Sequence, residues 1–259
     1  MLGLKLFIHA VRMVINNLGA MLQIFALPLL VVLAVLMAFS AYIGLGPFFV
    51  FSGQSVRFNN MSGGFMVVFF GTILVIWVAL MNGVVHWHRF ILLSETPRAL
   101  MLRLSWRQAA KYIIGGILIV LLLILPFWLI SMVVGRIAFS FAAQGDLLVA
   151  RGIMVVVNLV FMIFFLMLSP ILPAAAIDQK FKLGDALVAM SGTLGTLLIC
   201  AVSLSVTQWV AALATQTLAS WSVQLAVIGS ILVGGLTGMI GVSLITTLYG
   251  HFVEKRPLA

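Results

Sequence analysis

Six long apolar stretches dominate the sequence, and none of them contains a Lys, Arg, Asp or Glu. A helix needs roughly 20 predominantly apolar residues to cross the hydrocarbon of a bilayer, and each stretch reaches that length. Runs this long and this continuously apolar fit helices rather than barrel strands, because a helix closes its backbone hydrogen bonds internally. We therefore predict an all-α membrane protein with six transmembrane helices, at residues 18–43, 65–85, 112–134, 153–177, 193–215 and 225–249.

The composition also indicates a chain embedded in lipid. Hydrophobic residues make up 64% of the 259 positions and charged residues 7%, and the mean hydropathy is +1.30. This leaves too little polar surface to cover a water-soluble globule. The longest connection, residues 86–111, is too short for a soluble domain, so we expect one membrane domain over residues 1–259. The single Cys200 excludes a disulfide framework.

The basic residues predict the orientation of the chain. Eleven of the 14 Lys and Arg lie at the termini or after the second and fourth spans, and the other three are Arg57, Arg136 and Arg151. Basic loops resist translocation, so we expect a bacterial inner-membrane protein with both termini in the cytoplasm. The net charge of +9 then reflects topology and attraction to anionic lipid headgroups, and we expect no nucleic-acid partner.

A basic stripe precedes the third span. Arg103, Arg107 and Lys111 recur at i, i+4 spacing on one helical face, with Leu102 and Trp106 on the other. This pattern is typical of an amphipathic helix lying on anionic headgroups, so we predict that the three basic residues contact lipid. The same pattern also fits a continuous cytoplasmic extension of the third span.

A short pattern recurs before the first, third and fifth spans. The residues with matching spacing are Phe7, Ala10 and Asn16, then Trp106, Ala109 and Gly115, then Leu183, Ala186 and Gly192. This spacing suggests three parallel helical hairpins, each preceded by a short amphipathic cytoplasmic helix. The match covers three positions of permissive residue type, so chance recurrence is the alternative.

This pattern, together with the run from His88 to Leu93 at the end of the second span, resembles bacterial six-span inner-membrane proteins that have no assigned activity. Relatives of the membrane domain attached to some glycerophosphodiester phosphodiesterases belong to that group. The resemblance implies a membrane scaffold and carries no catalytic residue into this sequence. The soluble phosphodiesterase domain itself would need a cluster of acidic and His residues, which this chain lacks.

The acidic residues are all outside the predicted spans or at their rims: Glu95, Asp146, Asp178, Asp185 and Glu254. Ion-coupled carriers usually place an ionisable group at membrane depth, and an intramembrane enzyme needs paired acids or a nucleophile with a base at matched depth. Neither pattern is present. We therefore expect no catalytic residue, no cofactor and no enzymatic activity.

The residues best suited to bind a metal ion or form an ion pair lie at the predicted cytoplasmic rim. His86, His88 and His251 with Asp178 offer ligand types that suit Zn²⁺, but His at i and i+2 point to different sides of a helix, so we predict no metal site. We predict instead an ion pair between Arg89 and Asp178 that ties the second span to the fourth. Headgroup-facing polar residues are the alternative.

Polar and small residues form stripes on the last two spans. The stripe of the fifth span includes Ser205, Gln208 and Thr215, and that of the sixth includes Ser230, Gly234 and Gly238. Small residues let helix backbones approach closely, and hydroxyl or amide groups can hydrogen-bond across the contact. We predict that these stripes form a packing seam between the two spans. A polar substrate path or an oligomer contact is the alternative.

Proline suggests one further feature. Pro170 and Pro173 interrupt the fourth span, and the freed carbonyl groups could line a cavity near Asn82. Ordinary packing kinks are the alternative. Taken together, these patterns predict a non-enzymatic membrane scaffold or partner-binding component, which could also form homo-oligomers. A carrier or channel for a small neutral or lipidic solute is the alternative function.

Overall fold

The structure, a computed structural model, describes residues 2–45, 63–96 and 106–258. Within these ranges every regular element is a helix: α1 (Leu2–Asn16), α2 (Leu18–Tyr42), α3 (Gly63–Leu93), α4 (Trp106–Ala143), α5 (Leu147–Leu168), α6 (Ile171–Ala176), α7 (Leu183–Ala189), α8 (Leu194–Trp221) and α9 (Val223–Phe252). Six segments are long and apolar enough to cross a membrane, with α5 and α6 together making the fourth. The prediction of an all-helical chain with six such helices is confirmed.

Several helices continue beyond the apolar stretches that predicted them. The longest is α4, whose 38 residues extend about 57 Å, against roughly 30 Å for the hydrocarbon core of a bilayer. Arg107 and Lys111 therefore lie on the same continuous helix as the third span. Over the described residues this agrees with a continuous extension of the span and contradicts a separate surface helix. Arg103 lies outside the described residues.

Three pairs of long helices are neighbours in both sequence and space: α2 with α3, α4 with α5, and α8 with α9. Residues suited to turns and helix caps lie between the paired helices. Gly145, with a φ of +92°, follows α4, and the Ser222 hydroxyl accepts a hydrogen bond from the Leu225 amide at 3.0 Å to cap α9. Pro170 has no amide hydrogen, so the fourth span breaks there and resumes as α6.

The tightly packed core occupies one end of the bundle, which we call the closed end. It holds α1, α6, α7, the C-terminal parts of α3 and α9, and the N-terminal parts of α4 and α8. Its fully buried apolar side chains include Leu6, Ala10, Val14, Trp87, Leu197, Leu244 and Leu248. Because α1 lies against α8 and α9, both ends of the described chain belong to the closed end.

The remainder of the bundle, which we call the open half, is packed more loosely. The described buried residues of α3 begin at Gly83, and those of α9, apart from Gly229, begin at Met239. In α8 the last buried residue is Leu204. Lipid tails are as apolar as Leu, so exposing these side chains in a bilayer carries no hydrophobic penalty. Clefts therefore remain between neighbouring helices of this half.

The first helix is held in the core by its small and apolar face. Gly3, Leu6, Ala10 and Val14 are buried at helical spacing. A Cβ atom at Gly3 would lie 2.6 Å from the backbone oxygen of Thr196, so only glycine allows this approach of α1 to α8. The short helix α1 is thus part of the packed bundle, and not only an amphipathic helix on the membrane surface.

Candidate functional site

A buried histidine joins three helices at the closed end. His88 of α3 has no exposed surface. Its Nδ1 lies 2.8 Å from the Oγ1 of Thr246 on α9, and its Nε2 lies 3.3 Å from the hydroxyl of Tyr112 on α4. Thr246 and Tyr112 are also buried. The imidazole therefore connects helices from three different helix pairs.

The hydrogen-bond pattern favours one protonation state of this histidine. The hydroxyl of Thr246 donates its single hydrogen to the Val242 carbonyl at 2.9 Å, so Thr246 accepts the bond from Nδ1–H. Tyr112 then donates its hydroxyl hydrogen to the unprotonated Nε2. Every polar hydrogen in the chain of contacts has an acceptor. The neutral Nδ1–H tautomer of His88 satisfies all of these contacts, and we predict this tautomer.

Further hydrogen bonds surround this contact. The indole N–H of Trp87 donates to the Ser243 hydroxyl at 3.0 Å, which adds a second bond between α3 and α9. Near the end of α9, the hydroxyl of Tyr249 donates to Gln179 Oε1 at 2.8 Å. We call the set of Trp87, His88, Tyr112, Ser243 and Thr246 the closed-end network. Its members bond side chain to side chain across helices, so they specify how α3, α4 and α9 pack together.

Two arginines extend these connections toward the rim. Arg89 donates from Nη1 to the Ala176 carbonyl at 3.2 Å, which joins α3 to the end of α6. Arg256 donates from Nη2 to the Leu92 carbonyl at 2.7 Å, which joins the C-terminal segment to the end of α3. Both bonds satisfy carbonyl groups near helix C-termini, where a cation is also favoured by the helix dipole.

The closed-end network is suited to holding helices together. Both ring nitrogens of His88 are already engaged by Thr246 and Tyr112, so neither is available to bind a metal. Among the described residues no group of three or more His, Cys, Asp or Glu side chains is arranged to hold a metal ion. His251 lies elsewhere, with Nδ1 3.3 Å from the Arg256 carbonyl oxygen. The arrangement is a satisfied polar connection inside an apolar core.

The predicted ion pair between Arg89 and Asp178 is wrong, because each residue has another partner. Arg89 donates from Nε to Glu95 at 3.0 Å and pairs with the same carboxylate through Nη2. Helix α3 ends at Leu93, which allows the chain to turn and bring Glu95 back to Arg89. Asp178 instead pairs with Lys111 of α4. The second and fourth spans are still joined, but through the bond from Arg89 to the Ala176 carbonyl.

The pair between Lys111 and Asp178 changes two predictions. Lys111, predicted as a headgroup contact, binds a carboxylate of its own chain. The hydrogen bond from Lys111 is the main cause that lowers the pKa of Asp178. Burial opposes it as the second-largest effect, and the positive charges of Lys111, Arg107 and Arg89 lower the pKa further. The carboxylate therefore stays ionised to a lower pH than an isolated aspartate does.

The predicted seam between the last two spans is also wrong. Ser230, Gly234 and Gly238 are exposed on α9, and a Cβ atom at either glycine would meet nothing within 4 Å. The close approach of α9 to α8 occurs instead at Gly229, where a Cβ atom would lie 2.3 Å from a methyl group of Leu218. Helical periodicity placed the small residues on one face correctly but did not identify which face meets α8.

The polar stripe of α8 faces α5 instead of α9. A cleft of about 590 Å³ between these helices is lined by Met154, Val155, Asn158, Leu159, Val202, Ser205, Val206, Gln208 and Trp209. The Ser205 hydroxyl is buried and has no hydrogen-bond partner in the described part of the chain. Thr215 lies outside this cleft and donates to the Ala211 carbonyl of its own helix at 3.0 Å.

A second cleft, of about 360 Å³, lies between α2 and α3. Asn82 lines it together with Leu27, Pro28, Val31, Leu74, Val75, Val78, Ala79 and Trp106. The side-chain oxygen of Asn82 is buried without a partner among the described residues. Pro170 and Pro173 do not line this cleft, so the cavity predicted near Asn82 and the two prolines stays a prediction.

The closed-end network is absent from the predictions made above, although the sequence carries a signal for it. Ser243, Thr246, Thr247 and Tyr249 place four hydroxyl groups in the last three turns of a largely apolar helix. Hydroxyl groups at such density in a membrane helix need partners. The partners, Trp87 and His88, could not be identified without knowing which helix packs against α9.

Comparison with known proteins gives no match. The chain matches no protein-family model, no curated protein and no solved structure.

Proposed function

We propose that this chain is a non-enzymatic scaffold of a bacterial inner membrane, which binds partners through its open half and holds its shape through its closed end. The observation that carries the proposal is the contrast between these two parts. The closed end is buried and joined across helices by the network around His88. The open half presents clefts that are lined almost entirely by apolar side chains.

Such a division of roles fits a protein that assembles with others in the plane of the membrane. A rigid end keeps the helices in place, since its side chains bond α3, α4 and α9 to one another. The clefts carry no charged residue, as expected of a surface that meets lipid or another membrane helix. The resemblance to six-span bacterial inner-membrane proteins is in accord with this function.

We also propose that both termini are cytoplasmic and that the closed end contacts anionic headgroups. The distribution of the basic residues supports this, because 11 of the 14 fall on that side of the predicted topology. Arg107 is exposed at the N-terminal end of α4 and is suited to headgroup contact. Reporter fusions after Val85 and Ile177 should report cytoplasm, and fusions after Ile43 and Val134 the opposite side. A single fusion on the wrong side would contradict this orientation.

The three helix pairs are, in our proposal, parallel repeats. Ala10, Ala109 and Ala186, which occupy equivalent positions of the recurring pattern, are all buried. The segments that end at the closed end also finish alike: Ser94 after α3 and Asp178 after α6 adopt positive φ, as does Lys255 shortly after α9. The second repeat, which contains α4 and α5, departs from the pattern. Its Gly115 lies inside the continuous helix α4, whereas the equivalent Asn16 and Gly192 lie at or after the end of a short helix.

A carrier for a lipidic or small neutral solute is the second candidate. It is favoured by a bundle that is packed at one end and open at the other, as one state of an alternating-access cycle would be. The nearly apolar lining of the clefts would then select a hydrophobic solute. The two candidates differ in one respect: a solute path that opens alternately to the two sides must admit water, whereas a scaffold cleft is filled by lipid or protein.

Cysteine labelling tests the scaffold proposal. In a Cys200→Ala background, Asn82→Cys and Gln208→Cys each place one thiol in a cleft. We expect no reaction with membrane-impermeant thiol reagents from either side in proteoliposomes. Leu183→Cys, exposed at the closed end, is the positive control and should react from one side. Rapid labelling at position 208 would contradict the scaffold and make transport the leading function.

A further inference from the structure

Four hydrogen-bonding side chains without intramolecular partners gather on the cleft between α5 and α8. Asn158 and Gln208 are exposed, and neither makes a hydrogen bond within the described part of the chain. The buried hydroxyl of Ser205 is also unpaired among these residues. Trp209, 64% exposed, completes the group. Gln208 and Trp209 lie near the middle of α8 and Asn158 near the middle of α5. Both helices belong to candidate spans, so in a bilayer these side chains are expected at the depth of the hydrocarbon.

This position makes the unpaired groups costly. Hydrocarbon offers no hydrogen bonds, and an unsatisfied amide there loses several kcal/mol relative to water. Tryptophan is normally enriched at the membrane–water interface, where its N–H meets polar partners, and not at mid-span. The acyl chains of lipids cannot bond any of the four side chains. The occupant of this cleft must therefore be apolar overall and must present donors and acceptors at the same depth.

We propose that the α5/α8 cleft is the interface of a homodimer whose two-fold axis runs along the bilayer normal. This inference rests on the scaffold function proposed above and names its partner as a second copy of this chain. A two-fold axis in that direction places every residue at the same depth as its copy. With that axis passing beside the cleft, Gln208 and Asn158 meet amide groups of the other subunit at the same depth.

The chemistry of the cleft is self-complementary, which favours a second copy over an unrelated helix. An amide donates two hydrogens and accepts through its oxygen, a hydroxyl does both, and indole donates one. The exposed side chains Asn158, Gln208 and Trp209 can therefore satisfy an identical set. The residues lining the cleft include no charge, so two chains of net charge +9 meet here without direct repulsion. Val206 and Trp209 supply exposed apolar surface to pack across the contact.

Disulfide cross-linking in liposomes tests the dimer. Gln208→Cys in a Cys200→Ala background should form a covalent dimer on oxidation with copper phenanthroline. Leu236→Cys is the matched control, because it is exposed and lies as far from the start of α9 as Gln208 lies from the end of α8. We expect no cross-link at position 236. Equal cross-linking at both positions would indicate random collision and overturn the proposal.

Single-molecule photobleaching provides a second measurement that does not depend on cysteine at the contact. Labelled wild type at high lipid dilution should bleach in two steps. The double variant Asn158→Leu and Gln208→Leu should raise the dimer dissociation constant by about tenfold or more, given the usual strength of interhelical hydrogen bonds in bilayers. Ser230→Leu, on the exposed face of α9, should leave the constant unchanged. Single-step bleaching of the wild type overturns the dimer.

The outcomes separate this inference from the scaffold function. A wild type that is monomeric while position 208 stays inaccessible to water contradicts the dimer alone. Labelling of position 208 by impermeant reagents contradicts both, because a contact between amides in a dry interface cannot be reached by such reagents.

Discussion

Replacing Thr246 by Val tests the closed-end network with the smallest change in shape. Valine fills nearly the same volume but cannot accept the hydrogen bond from His88 Nδ1–H, which is 2.8 Å from the Thr246 hydroxyl. Leaving a buried donor unsatisfied costs about 1–3 kcal/mol, and single interhelical bonds in bilayers average about 0.6 kcal/mol. We expect Thr246→Val to lower the free energy of unfolding by about 1–2 kcal/mol.

The adjacent residue is a matched control. Thr247 is 4% exposed, against 1% for Thr246, but its hydroxyl bonds only to the Ser243 carbonyl of its own helix, at 2.8 Å. Thr247→Val should therefore change the free energy of unfolding by less than about 0.5 kcal/mol. Reversible unfolding in mixed detergent micelles measures both variants. Equal effects of the two substitutions would refute the assignment of the network.

Nitrogen NMR of His88 gives an independent signature of the same network. Wild type should show the neutral Nδ1–H tautomer. Thr246→Val removes the acceptor of that hydrogen, so the imidazole should shift toward the Nε2–H tautomer, which can donate to the oxygen of Tyr112. A wild-type spectrum of the Nε2–H tautomer would contradict the hydrogen-bond assignment, whatever the stability of the variants.

Two further predictions concern other contacts. Gly3→Ala should destabilise the protein by about 1–3 kcal/mol, because its Cβ would meet the Thr196 backbone oxygen at 2.6 Å. Gly234 has open space around it, so the free energy of unfolding of Gly234→Ala should be within about 0.5 kcal/mol of the wild-type value. The pKa of Asp178 is lowered chiefly by the Lys111 hydrogen bond. The pair should therefore stabilise the fold fully at any pH above the ordinary aspartate pKa. This stabilisation should be lost as the pH falls through the lowered pKa of Asp178 in the folded protein. Carbon NMR titration should show the midpoint rising in Lys111→Gln, and an unchanged midpoint would contradict the pairing.

The six spanning helices could be predicted from the sequence because hydrophobicity over about 20 residues depends on the solvent and not on neighbouring helices. The lengths of α3 and α4 could not be predicted in the same way. Both continue past the apolar stretch into polar sequence, with Arg89 on one and Arg107 on the other. Helical hydrogen bonds and contacts at the closed end maintain these extensions, and neither contributes to hydropathy.

The contacts between helices could not be predicted from the sequence. The stripe of Ser205 and Gln208 was predicted on one face of α8, but α8 packs against both α5 and α9, and periodicity does not say which neighbour a face meets. The same applies to Asp178, for which the rim offers several cations. Lys111 is the partner because α4 is long enough to bring it beside the end of α6.

The claim that the closed end is a rigid, sealed base can be tested by measuring one distance. Spin labels at Leu93→Cys and Leu183→Cys, both exposed at the closed end, in a Cys200→Ala background, report the separation of α3 and α7 by double electron–electron resonance in liposomes. The scaffold account predicts a single narrow distance distribution. A second, longer population would show that this end opens, as a carrier requires, and would contradict the account.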